Sequence, residues 1–295
     1  MTPETVEEPL SSSMRGEIEP RLAAVRLPLA ERTLSDYSFS NMYLFREVHQ
    51  YRYRRSPRPA IVGLTYDGIS MVFPLYDLRS ATDDELLFDQ GGHSIFFPLA
   101  RELVDGLDNR RFRIEAVRSD SDYLYPRDAF ERYDGIGLGE KRSAVSRLLD
   151  RYRIRIDALT AESRNDAMHV LAGWLEDKGK GESEADGSAC RDALRGTGNL
   201  ALLPGLVFYV DRTPIGFVIY ELLNPAVAVI RFAKGRSEFN GIFPYMFHIL
   251  SVQLKGVVSW FNLEQDLGIE NFRRTKLSYR PSALLPKYRL RVVTE

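Results

Sequence analysis

The chain has 295 residues, with 40 lysines and arginines against 41 aspartates and glutamates, 44% apolar residues and a single cysteine. That length suits one large domain or two ordinary ones, and the apolar content excludes a disordered chain. A formal charge of −1 argues against stable DNA binding, and Cys190 alone excludes a disulfide framework or a cysteine-based zinc site, which fits a reducing cytoplasm.

Residues 1–27 contain Glu4, Glu7, Glu8, Glu17 and Glu19 and no apolar core, so they read as a disordered leader rather than a signal peptide. No apolar run approaches the ~18 residues of a transmembrane helix. Residues 61–75 read as a hairpin turning at Asp67-Gly68, and residues 88–93 as a Gly-Gly turn. Residues 112–120 form a strand running into acid. Residues 141–152 place Ala144, Val145, Leu148, Leu149 and Tyr152 on one helical face opposite a basic one. Residues 161–178 form a second helix with Met168, Leu171, Trp174 and Leu175 inward, and residues 178–198, rich in Gly, Ser and charge, read as a loop. A second hairpin follows at 206–222, turning at Asp211, then a strand at 227–232, a helix at 242–253 and a strand at 257–266. The two hairpins, and the two strands ending in acid, share an offset of about 145 residues, which predicts a tandem duplication. The expected domains are 28–140 and 141–295, the second opening with the basic helix, each an α/β unit of helices on a mixed sheet.

Basic residues cluster three times: Arg46, Arg52, Arg54, Arg55 and Arg58; then Lys141, Arg142, Arg147, Arg151, Arg153 and Arg155; then Arg273, Arg274, Lys276, Arg280, Lys287, Arg289 and Arg291. Such patches suit a polyanion such as RNA, coenzyme A or phospholipid headgroups, or are solvated faces balanced by acids nearby in space. The four histidines have no metal-ligand spacing, and no P-loop, Rossmann fingerprint or nucleophile elbow is present.

The segment Trp260-Phe-Asn-Leu-Glu-Gln-Asp-Leu-Gly-Ile-Glu, continuing to Pro281 and Leu-Leu-Pro-Lys-Tyr288, resembles the C-terminal signature of soluble relatives of the phosphatidylglycerol lysyltransferase C-terminal domain. Ser35-Asp-Tyr-Ser-Phe-Ser-Asn41 and the Lys141-Arg142 helix extend the resemblance over about residues 30–290. It implies tandem duplicated GNAT-like N-acyltransferase domains, of α/β class with α+β mixed sheets. It also implies an aminoacyl-tRNA co-substrate, no further cofactor, and an amine or hydroxyl on a small-molecule or lipid acceptor. An acyl-CoA donor, or a scaffold turned to ligand binding without catalysis, are the alternatives.

An aminoacyl ester is already activated, so such a protein must orient it and stabilise an oxyanion. On that reading Glu264 and Asp266 would meet the donor ammonium, with Asn262 beside them, or would instead cap a helix and pair with Arg273. Gly268 would let the backbone turn closely. Lys276 would neutralise the oxyanion or the terminal ribose-phosphate. Arg273 and Arg274 would hold acceptor-stem phosphates, with Arg147 and Arg151 as a second hold. Tyr279 would orient a hydroxyl or relay a proton, or else be a buried, hydrogen-bonded phenol. The loop 234–242 contains Arg236 and Gly241 but lacks the paired small residues of a coenzyme A pyrophosphate cradle, so it would hold pyrophosphate poorly.

Overall fold

The computed structural model describes residues 6–55, 58–108, 110–181, 186–196 and 203–293. The chain divides into two units: Met1–Asp122 with Gln265–Phe272 and Leu284–Glu295, and Tyr123–Glu264 with Arg273–Ala283. The expected boundary near residue 140 is therefore displaced, because the tail returns to the first unit.

The first unit begins with β1 (Glu7–Pro9) and α1 (Arg15–Arg26), inside the stretch expected to be a disordered leader. That expectation is corrected for residues 6–27; residues 1–5 lie outside the described residues. Two interactions order the segment. Ile18 and Leu22 are fully buried, each stabilising by about 1.5–3 kcal/mol. The acids also find the first basic cluster: Glu7 meets Arg54 at 2.8 Å, Glu8 meets Arg55 at 2.8 Å, and Glu17 meets Arg55 at 3.1 Å. This patch is neutralised within the fold.

Next come α2 (Phe39–Leu44), capped by Ser38, then β2 (Arg52–Arg54), β3 (Ala60–Leu64) and β4 (Ser70–Pro74). The β3–β4 hairpin turns at Asp67-Gly68 as expected, with Ile61 opposite Phe73. A capping box of Thr82 and Glu85 starts α3 (Asp83–Gln90), and β5 (Ile95–Leu99), α4 (Arg101–Val104) and β6 (Phe112–Ala116) follow.

The second unit contains β7 (Asp122–Pro126), α5 (Ala129–Arg132), α6 (Gly139–Arg151), β8 (Ile154–Ala158) and α7 (Arg164–Lys178). A further helix, α8 (Gly187–Arg195), occupies part of the expected 178–198 loop. Ala189, Cys190, Ala193 and Leu194 are all buried, an apolar face that outweighs the polar composition of its surroundings. Residues 182–185 and 197–198 of that loop lie outside the described residues. Then come β9 (Gly205–Val210), β10 (Thr213–Asn224), β11 (Val227–Gly235), α9 (Ile242–Gln253) and β12 (Trp260–Asn262). The chain closes with α10 (Glu270–Leu277), β13 (Ala283–Leu285) and β14 (Tyr288–Val292).

The two sheets have one plan. The first runs β1-β2-β3-β4-β5-β14-β6 and the second β8-β9-β10-β11-β12-β7-β13. In each, four antiparallel strands lead through a helix to a fifth strand parallel to the fourth, and an antiparallel strand follows. The duplication expected from the sequence is thus visible as topology, but the offset is one strand out. By sheet position β3–β4 correspond to β10–β11 rather than β9–β10, and β12 corresponds to β5 rather than to β6. Turn chemistry recurs at every hairpin, so it is a poor marker of register.

Candidate functional site

In the second sheet β11 pairs with β12 only from Val227 to Val229, opposite Trp260 to Asn262, and the two strands part beyond that point. At the parting β11 is irregular. Ile219 pairs with Phe232 and Tyr220 with Ile230, so Arg231 is the extra residue of a β-bulge. Its side chain has no exposed surface and lies between two carboxylates, Glu221 on β10 at 2.8 Å and Glu264 after β12 at 2.7 Å. Burial works against the guanidinium charge, but Glu221 and Glu264 outweigh it and raise its pKa above the ordinary value.

Glu264 is itself constrained. Its φ is +57°, a region that costs a residue with a side chain on the order of 1 kcal/mol or more. Several contacts hold it there. Buried Asn262 accepts from the Glu264 amide at 2.7 Å, and the Tyr123 amide donates to the Glu264 carbonyl at 3.2 Å. The Lys276 ammonium donates to the carbonyls of Leu263 and Glu264, the latter at 3.2 Å. Tyr125 in turn donates to the Lys276 carbonyl at 2.8 Å. Asn262, Glu264 and Lys276 are therefore gathered in one place, and the Lys276 ammonium serves backbone carbonyls.

The other expected residues are distributed differently. Asp266 belongs to the first unit, is fully buried, and is bound by Arg118 at 2.6 Å and by the Gly268 amide at 2.9 Å. Glu264 and Asp266 are thus engaged by different arginines, and Asp266 with Gly268 (φ +75°) forms the turn ahead of α10. On α10, which buries no residue, Arg274 is exposed and Arg273 half-buried. Tyr279 is a core residue. Its ring packs on Phe130 at 5.7 Å and Phe247 at 5.4 Å, Lys141 lies 4.2 Å from its centroid, and burial raises its pKa. Arg236 bridges to Asp177 at 3.2 Å with its guanidinium against Gly173, which holds α7 rather than a substrate. Arg147 and Arg151 are exposed and line a cleft of about 200 Å³. The Cys190 thiol is buried, which raises its pKa and makes it a poor nucleophile.

Gly241, with φ +102°, precedes α9, and a Cβ there would lie 2.4 Å from the Ala144 carbonyl of α6. The start of α9 is therefore covered by α6. Its Ile242 amide already donates to Phe239, and Pro244 has no amide to offer.

In the first unit two of the tail cations are buried. Lys287 lies between Asp122 at 2.8 Å and Asp36 at 2.5 Å, and Arg289 reaches Asp120 and Asp67, both at 2.8 Å. The Ser35–Asn41 and Pro286–Tyr288 motifs therefore meet in one ion network. Sequence reasoning missed Arg231 and Glu221. The signal was a lone arginine in the apolar run Val227–Phe232, a charge that must find a partner if the strand is central.

The family described as phosphatidylglycerol lysyltransferase, C-terminal, matches residues 28–291. The chain belongs to this family. Among curated proteins no sequence matches. A conserved protein of unknown function from Bacteroides thetaiotaomicron superposes with a TM-score of 0.80 at 19% identity, covering 98% of this chain and 100% of that one. L-PGS from Bacillus licheniformis gives 0.55 at 15% identity over 88% and 93%. FemX gives 0.62 at 7% over 98% and 97%. The fold is a tandem pair of GNAT-like acyltransferase domains. Among the described residues no helix is long and apolar enough to cross a membrane.

Proposed function

We propose that this family member is an aminoacyl-tRNA-dependent aminoacyltransferase whose acceptor is an amine or hydroxyl of a small molecule or lipid, with its reaction centre in the second unit. The observation that carries the reading is the bulged, buried Arg231 held between Glu221 and Glu264 where β11 and β12 part. Glu264 offers the donor's ammonium a carboxylate, and Arg231, Asn262 and Lys276 fix its position. The acceptor nitrogen or oxygen attacks the ester carbonyl carbon and a bond forms there. The carbon–oxygen bond to the terminal ribose breaks, and the ribose oxygen leaves with the electron pair and takes up the acceptor's proton. Arg273 and Arg274 on α10, a helix that buries no residue, would meet the RNA's phosphates.

Two observations favour this donor over acyl-CoA. The loop ahead of α9 lacks paired small residues, and α6 covers the helix start where a diphosphate would have to sit. The test is transfer of a radiolabelled amino acid from charged tRNA to a panel of amines and lipids. Product is expected with the native chain, and Glu264→Gln should lower the rate about 100-fold, as for loss of one preorganised charged contact. Absence of product with every charged tRNA, alongside a raised Tm with acetyl-CoA, would overturn the reading.

A further inference from the structure

The cleft of about 200 Å³ in the second unit lies where the end of α6 meets the β11–α9 connection, and is lined by Arg147, Asp150, Arg151, Tyr152, Glu238 and Asn240. Arg147 and Arg151 are one helical turn apart, so their Cβ atoms stand about 6 Å from each other on one face. Among the described residues neither arginine is in an ion pair, although Asp150 and Glu238 share the cleft. Tyr152 is half-buried, its ring fixed by Phe239 at 5.1 Å with the planes tilted by 59°. The combination is specific in kind. Paired guanidiniums suit phosphates, a fixed aromatic ring is a platform for a base, Asn240 can read a base edge, and two carboxylates can accept from ribose hydroxyls. A duplex would present its phosphates but hide its base faces, so the aromatic and amide groups would be unused.

The same strand connects this cleft to the Arg231–Glu264 cluster. From Arg231 to Gly235 the rise along β11 is about 13 Å, at ~3.3 Å per residue, and Glu238 and Asn240 follow directly. That is a span a short single strand covers.

Resting on the aminoacyl-tRNA reading, we infer that this cleft holds an unpaired ribonucleotide of the donor RNA, a few positions before its esterified end. Arg147 and Arg151 take its phosphates, Tyr152 stacks on its base, and Asp150 and Glu238 accept from its ribose.

The experiment is fluorescence anisotropy of the full chain with three probes across a salt series: deacylated tRNA, the same tRNA with its unpaired 3′ nucleotides removed, and AMP. The native chain should prefer the intact tRNA. Replacing both arginines (R147A with R151A) should weaken intact tRNA about tenfold and reduce the salt slope by about 1.4, at ~0.7 per single-strand phosphate. Tyr152→Ala should weaken it about fivefold or more. Binding of the trimmed tRNA should be unchanged in both variants, whose circular dichroism should match the native chain. Equal affinity of native and variant chains for intact tRNA overturns the cleft assignment and leaves the donor reading standing. An equal loss on trimmed tRNA also overturns it, since the arginines would then touch duplex. A native chain that binds neither tRNA, with or without AMP binding, removes the donor reading and the cleft assignment together.

Discussion

Lys287 is about as buried as a lysine can be, with 1% of its surface exposed, and Asp122 beside it has none. Desolvation opposes the charge, but Asp122 and Asp36 outweigh it and the lysine's pKa rises well above the ordinary value, so the group is an ion throughout the physiological range. Ser35 donates to Asp122 from both its amide and its hydroxyl, which completes the network. Removing one partner of such a group is far worse than never having built it, because the others remain charged and buried. Lys287→Met is expected to cost about 3–5 kcal/mol and lower Tm on the order of 10 °C. Adding Asp122→Asn should recover part of that loss, and thermal melts of the single and double variants measure it; a single variant within 1 °C of native would show that the network contributes little. The same logic makes Arg231 informative. Replacement by Lys should preserve the fold better than replacement by Ala, while both lower transfer, because a point charge cannot reach two carboxylates as a planar fork does.

Among the elements, the N-terminal β1 and α1 show why composition misleads. Five glutamates in nineteen residues look like disorder, until the partners of Glu7, Glu8 and Glu17, some forty residues later, come to lie alongside. Nothing local in the sequence encodes that complementarity. The hairpins were legible because their turn residues are local, and so were α6, α7 and α9, whose apolar spacing needs no partner to be read. The candidate site was half legible. Asn262, Glu264 and Lys276 are near one another in sequence and in space, whereas Glu221 and Arg231 reach Glu264 only through sheet pairing and a bulge. The N-terminal segment is also titratable. The Tyr53 hydroxyl donates to Glu17 at 2.7 Å, and with Arg55 this holds the Glu17 carboxyl below its ordinary pKa. A depressed carboxylate stabilises fully above its unfolded pKa and loses that contribution as pH falls through the folded one. The Tm difference between the native chain and Glu17→Gln should therefore be present at pH 7 and fade as pH falls below the ordinary carboxyl value and through the depressed one. A difference that persisted at pH 3 would show that the Glu17 contribution does not depend on its charge.

At the level of the whole molecule, each sheet takes its sixth strand from the far side of the other's sequence. β7 follows directly on the first unit yet lies in the second sheet, and β14 follows the second unit yet lies between β5 and β6. Leu290 is fully buried there, and Lys287 and Arg289 enter the first unit's ion networks. Removing residues 287–295 should therefore unzip the first sheet while sparing the second. In hydrogen exchange, amides of β5 and β6 should lose protection and those of β9 to β11 should keep it; protected β5 and β6 would contradict this account of β14 as a joining strand.

That placement has a consequence for how the protein is made. A ribosome adding 5–20 residues per second produces β14 roughly 10–30 s after β6, so the nascent first half waits with an unfilled slot between two strand edges. Such edges are templates for mispairing, and until Tyr288–Val292 emerges the growing chain is open to a strand from a neighbouring polypeptide.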